Sequence, residues 1–171
     1  MYTADPSAHV FNGEIYVYPS HDIVSGIPED NWGSQYDMKD YHVLSMDSIG
    51  GKVTDNGIAI DIKDVRWASR EMWAPDCIFA NGKYYLYFPV KDKTDIFRMG
   101  VAVGDKPTGP FKPEPDPIIG SYSIDPAVFA DEDGSFYMYF VGLNGGQLQQ
   151  YKNNKAVESA ALPADTALAL C

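Results

Sequence analysis

Along the 171 residues, short runs of alternating apolar and polar positions are separated by turns rich in glycine, asparagine and proline. A period of two puts successive side chains on opposite faces, so this pattern predicts half-buried β-strands rather than helices. One run recurs three times. Gly13-Glu-Ile-Tyr-Val-Tyr18, Gly82-Lys-Tyr-Tyr-Leu-Tyr87 and Gly134-Ser-Phe-Tyr-Met-Tyr139 share the form Gly-x-apolar-Tyr-apolar-Tyr. Each follows a second strand-like run across a turn, at Asn12-Gly13, at Asn81-Gly82 and at Asp131-Glu-Asp-Gly134. Asn-Gly between two such runs is the strongest short hairpin signal.

The remaining elements follow the same plan. In the first segment, strands are predicted over 41–46 and 52–62, after a long polar loop from Ser20 to Lys39. A loop of that length is usually functional or disordered. In the second, strands are predicted over 96–103 and 111–119; the latter is broken by prolines and so belongs at an edge, where missing amide donors do least harm. In the third, 146–151 is the next strand, and the alanine-rich stretch 155–171 is a weakly patterned tail. The three repeated glycines stand 69 and 52 positions apart (82 − 13 and 134 − 82). The second spacing suits a four-stranded propeller blade, and the first a blade with a long inserted loop. The expected fold is therefore all-β, a β-propeller with about three blades at 2–65, 72–120 and 122–154. A β-sandwich of repeated hairpins is the alternative. Three blades do not close a ring, so a piece of a longer protein is expected, with an open blade edge available for self-association.

Composition narrows the partners. A formal charge of −11, from 24 acids against 13 bases, repels phosphate backbones and argues against nucleic acid. No apolar stretch approaches the roughly 20 residues of a membrane span. No basic-plus-apolar leader follows Met1, which predicts a cytoplasmic chain, or a secreted one if a leader has been trimmed. Cys77 and Cys171 make no disulfide framework, and Cys77 reads as a buried thiol.

An acid opens the strand-like run that precedes each repeat: Asp5 in Thr3-Ala-Asp-Pro-Ser7, Asp76 in Trp73-Ala-Pro-Asp76, and Asp125 in Ser123-Ile-Asp-Pro126. In a propeller the innermost strands line a central axis, so these three carboxylates are expected to converge. Converging carboxylates raise one another's pKa and can divide acid and base roles. The same acids could hold a calcium ion near the axis, or could simply begin strands as turn residues. Trp73 offers a flat face for a sugar ring, or ordinary core packing. Trp32, Tyr36 and Tyr41, in or beside the long loop, are candidate rim residues, and His21 a candidate substrate contact. His9, His21 and His42 lack metal-ligand spacing, so no metal ligands are assigned. His9 reads as structural. There is no phosphate-binding glycine loop and no Gly-x-Ser-x-Gly elbow.

These motifs, in this order from about Tyr2 to Tyr151, resemble glycoside hydrolase family 43. The resemblance implies a five-bladed propeller and an inverting glycosidase of the β-xylosidase or α-L-arabinofuranosidase type, acting on xylan or arabinoxylan oligosaccharides. By motif, Asp5 resembles the general base, and Asp125 the residue that tunes and orients the general acid. That acid is a glutamate of a later blade, absent from this chain, so the 171 residues alone are expected to hydrolyse little. Trp73 resembles the wall of the −1 sugar pocket, and Asp76 belongs to the same motif. No cofactor is required, although the family often holds a calcium or other cation near the axis. A non-catalytic carbohydrate-binding propeller and an endo-arabinanase are the alternatives.

Overall fold

Alternation along the chain becomes three antiparallel sheets in the computed structural model, which describes residues 1–30 and 32–141. The first sheet orders β1 (Tyr2–Phe11), β2 (Glu14–Asp22), β3 (Asp40–Met46) and β4 (Thr54–Asp61) as a meander. A single 3-10 turn, Ile62–Asp64, leads away, capped by Asp61, whose side chain accepts from the Lys63 amide. The second sheet contains β5 (Ala68–Arg70), β6 (Asp76–Ala80), β7 (Lys83–Asp92), β8 (Phe97–Gly104) and β9 (Lys112–Pro113). The third pairs β10 (Ile124–Ala130) with β11 (Phe136–Val141).

The predicted hairpins form where expected. Asn12 and Asn81 take left-handed conformations, φ +54° and +51°, ahead of Gly13 and Gly82, as the tight β1–β2 and β6–β7 turns require. Two elements differ from expectation. β5 had no pattern of its own; it is three residues long and is held by pairing with the end of β7. The strand predicted over 111–119 shrinks to Lys112–Pro113, because Pro113, Pro115 and Pro117 cannot donate. Neighbouring amides still reach β8: Glu114 donates to Val101 and Ile118 to Met99, both at 2.9 Å. The strand expected over 146–151 and the tail 155–171 lie outside the described residues.

The core forms between the first two sheets. Tyr18, Tyr41 and Val43 from the first meet Leu86, Phe88 and Val90 from the second, all nearly inaccessible. Phe11 meets the Tyr84 ring edge-on at 5.1 Å, and Tyr18 reaches across to donate to the Pro107 carbonyl at 2.8 Å. β1 and β10 both pack against β6, and the candidate site is built at the ends of β1, β2 and β10.

Candidate active site

β1 and β10 share a distortion. Pairing of β1 with β2 slips between Ala4 and Ser7, and pairing of β10 with β11 slips between Ile124 and Ala127. Asp5 and Asp125 occupy those bulges with φ of +46° and +53°. Left-handed backbone is costly for a non-glycine residue, and a following proline narrows its choices further. Such bulges re-aim a side chain away from the strand's regular alternation. Here both carboxylates line one cleft of about 580 Å³.

The aromatic wall comes from two segments stitched together. Trp73 donates through its indole to the Tyr36 carbonyl at 2.8 Å, and its own carbonyl accepts from the Tyr41 hydroxyl at 2.5 Å. The Met72 amide donates to the Met38 carbonyl, and the Glu71 amide to the Asp37 carboxylate. The segment between β2 and β3 is thereby held over the cleft, where Trp32, Gly33, Tyr36 and Met38 line it. Trp73 rests on Phe97 with ring centroids 4.5 Å apart. Asp30 accepts from the Trp32 and Ser34 amides, which sets the turn that presents Trp32.

Electrostatics distinguish Asp125. Loss of solvation, then the like charge of Asp5, pushes its carboxyl above the usual carboxylate range. Asp22, which no sequence motif marks, also faces the cleft together with Ser20. The period-two alternation of β2 was the signal that could have found it, since Ser20 and Asp22 share a face and His21 takes the other.

Of the expected site residues, Asp5, Asp125, Trp73, Trp32 and Tyr36 come together on the cleft, and three others do not. Asp76 is buried, in regular register opposite Tyr87. Its Oδ1 lies 2.6 Å from His9 Nε2 and accepts from the Cys77 amide, while Oδ2 accepts from the Val128 amide at 2.7 Å. It ties β1, β6 and β10 together and is not among the residues that line the cleft. Tyr41, expected at the rim, is 1% exposed and serves as the bracket behind Trp73. His21 turns away from the cleft toward Asp40, with Nδ1 2.6 Å from Oδ1.

The family model for glycosyl hydrolases family 43 matches residues 3–167. The chain belongs to glycosyl hydrolase family 43. Among curated relatives, a xylosidase/arabinosidase of Bacteroides ovatus is 58% identical over 163 residues, covering 95% of this chain and 50% of that protein. Xylosidase/arabinosidase 43A of Humicola insolens is 59% identical over 162 residues, covering 94% and 50%. A solved family 43 β-xylosidase/α-arabinofuranosidase from a compost microbial metagenome, in complex with xylotriose and in a calcium-free form, superposes with a TM-score of 0.88 at 64% identity. That overlay covers 94% of this chain and 49% of the other. The chain thus spans about half the length of the curated relatives it matches. Its all-β sheets are blades of a family 43 propeller, which in the solved relatives has five.

Proposed function

We propose that this chain supplies the water-activating half of an inverting glycosidase that releases xylose or arabinose from xylan- or arabinoxylan-derived oligosaccharides. One observation carries the reading: two aspartates in matching bulges, Asp5 and Asp125, face one cleft walled by Trp73 and Trp32. In this reaction Asp5 takes a proton from water as the water oxygen attacks the anomeric carbon. The glycosidic C–O bond breaks, and the leaving oxygen takes a proton from a separate acid. Inversion needs the two groups roughly 6.5–9.5 Å apart to admit the water. No glutamate lines the cleft among the described residues, so the proton donor of this reading comes from outside them. Asp125 has the role of holding that acid's proton near neutral pH, which a neighbouring carboxylate favours. The indole face of Trp73 stacks against the sugar ring.

The relatives named for xylosidase and arabinosidase activity, and the one bound to xylotriose, support this substrate class. Endo-arabinanase action is the weaker alternative, since a Bacillus subtilis relative so named is 27% identical. The carboxylates of Asp5, Asp22 and Asp125 have the hard-oxygen chemistry calcium takes. Among the described residues, however, no three of them converge into one cluster, so no step is assigned to an ion.

The test uses the protein that carries this chain. Asp5→Asn is expected to lower turnover of p-nitrophenyl β-D-xylopyranoside about 10²–10⁴-fold, while xylotriose affinity stays within a few-fold. NMR of the first-formed sugar should show the inverted anomer. Full turnover by Asp5→Asn would overturn the assignment. Xylotriose binding without any turnover in the unsubstituted protein would leave a carbohydrate-binding propeller.

A further inference from the structure

Beyond the cleft, the first sheet brings His21 of β2 beside Asp40 and His42, which share one face of β3. β2 pairs with β3 at Ile15↔Met46, Tyr16↔Ser45 and Val17↔Leu44. Carried four residues further, the same register sets His21 opposite Asp40, and alternation along β3 puts His42 on the face of Asp40. The side chains meet there. His21 Nδ1 is 2.6 Å from Asp40 Oδ1, and His42 Nε2 is 3.7 Å from the same oxygen. The two imidazoles sit edge to face with centroids 4.8 Å apart.

The second nitrogen of His42 is also committed. Its Nδ1 lies 2.8 Å from Asp55 Oδ1, which in turn accepts from the Gly57 amide at 2.8 Å. A carboxylate on one imidazole nitrogen fixes the tautomer and frees the other nitrogen as a ligand. His42 Nε2 is thereby oriented toward Asp40. One ligand atom from each of His21, Asp40 and His42 lies within 4.8 Å of the others, and all three side chains are partly buried. A tetrahedral zinc with bonds of about 2.0–2.1 Å spaces its ligand atoms roughly 3.3 Å apart. Rotamer shifts of about 1 Å would bring the trio to that spacing.

We propose that His21, Asp40 and His42 form a site for a borderline divalent transition metal, zinc in the first instance, with Asp55 as the residue that orients His42. Two imidazoles and one carboxylate suit zinc over calcium or magnesium, which take all-oxygen shells. The site lies on the face opposite Ser20 and Asp22, so it is distinct from any cation held by the cleft carboxylates. Its place also gives it a consequence. The metal would join the end of β2 to the start of β3 at the root of the segment that presents Trp32, Tyr36 and Met38, and so fix the cleft's outer wall.

The experiment is titration of the tag-free chain with Zn²⁺ by calorimetry, and with Co²⁺ by visible absorption. One equivalent is expected to bind, with the intense d–d bands of a low-symmetry cobalt site, and millimolar Ca²⁺ should not compete. His21→Gln and His42→Gln should abolish this binding, Asp55→Asn should weaken it about 10–100-fold, and Asp125→Asn should leave it intact. If either histidine variant loses its β circular-dichroism spectrum, protection of His21 and His42 from diethyl pyrocarbonate by Zn²⁺ in the unsubstituted chain decides. No Zn²⁺ binding, binding that survives both histidine substitutions in folded protein, or absence of protection overturns the site.

Discussion

Asp5 and Asp125 are the same residue in two places. Each precedes a proline, each occupies a bulge in the first strand of its sheet, and each has a left-handed backbone. Strain of this kind costs about 1–3 kcal/mol per residue and persists only where surrounding structure imposes it. Here it turns two carboxylates toward one cleft.

That arrangement predicts a stability cost at neutral pH. Burial and the charge of Asp5 raise the Asp125 pKa. A carboxyl raised in the fold adds stability below its unfolded pKa, and that stability is lost as pH rises through the folded value. Asp125→Asn should therefore raise the thermal midpoint by a few degrees at pH 7, with the gain vanishing by about pH 4, the ordinary carboxylate range. Asp5→Asn should move the Asp125 titration downward, readable by carbon NMR of the carboxyls.

Gly33 predicts an effect on ligand affinity. Its φ is +78°, and a Cβ there would lie 2.9 Å from the Trp73 ring. Gly33→Ala adds about 1–2 kcal/mol of backbone strain and pushes the wall segment off Trp73. Xylotriose affinity of the protein carrying this chain should fall roughly tenfold, since 1.4 kcal/mol is a factor of ten.

Glu71 predicts a stability effect without a cleft contact. It is fully buried, with Oε2 2.8 Å from Lys91 Nζ and Oε1 2.9 Å from Arg70. Glu71→Gln leaves the buried Lys91 ammonium only the more distant carboxylate of Asp95, at 3.8 Å. Removing one partner of such a pair costs about 3–5 kcal/mol, and a lower urea midpoint would register it.

Asp76 predicts the opposite of a substrate-contact residue. Asp76→Ala strands the Val128 amide and His9, at a cost of about 3 kcal/mol for a buried charged acceptor. Asp76→Asn keeps the size and part of the bonding, and should lose less. If Asp76 bound sugar, Asp76→Asn would weaken xylotriose binding with the urea midpoint unchanged.

Much of this was legible in residue order. Asn12-Gly13 and Asn81-Gly82 specify their hairpins because turn conformation depends on residues within the turn. The three acids were legible as a set, but not their separation into two roles. Asp5 and Asp125 stand before proline, whereas Asp76 follows one and continues a regular strand. The order of two residues was therefore the available signal. β5 carried no signal because three residues show no period.

By itself, then, the sequence determined the strand runs, their hairpins, and which residue types begin them, since these depend on neighbours a few positions away. The tertiary structure decided which side chains meet: Asp5 with Asp125 across the cleft, Gly33 under Trp73, and His21 with Asp40 and His42. Those meetings depend on bulges, strand register and sheet packing between segments tens of residues apart. A shift of one residue would reverse the face of every side chain in a strand.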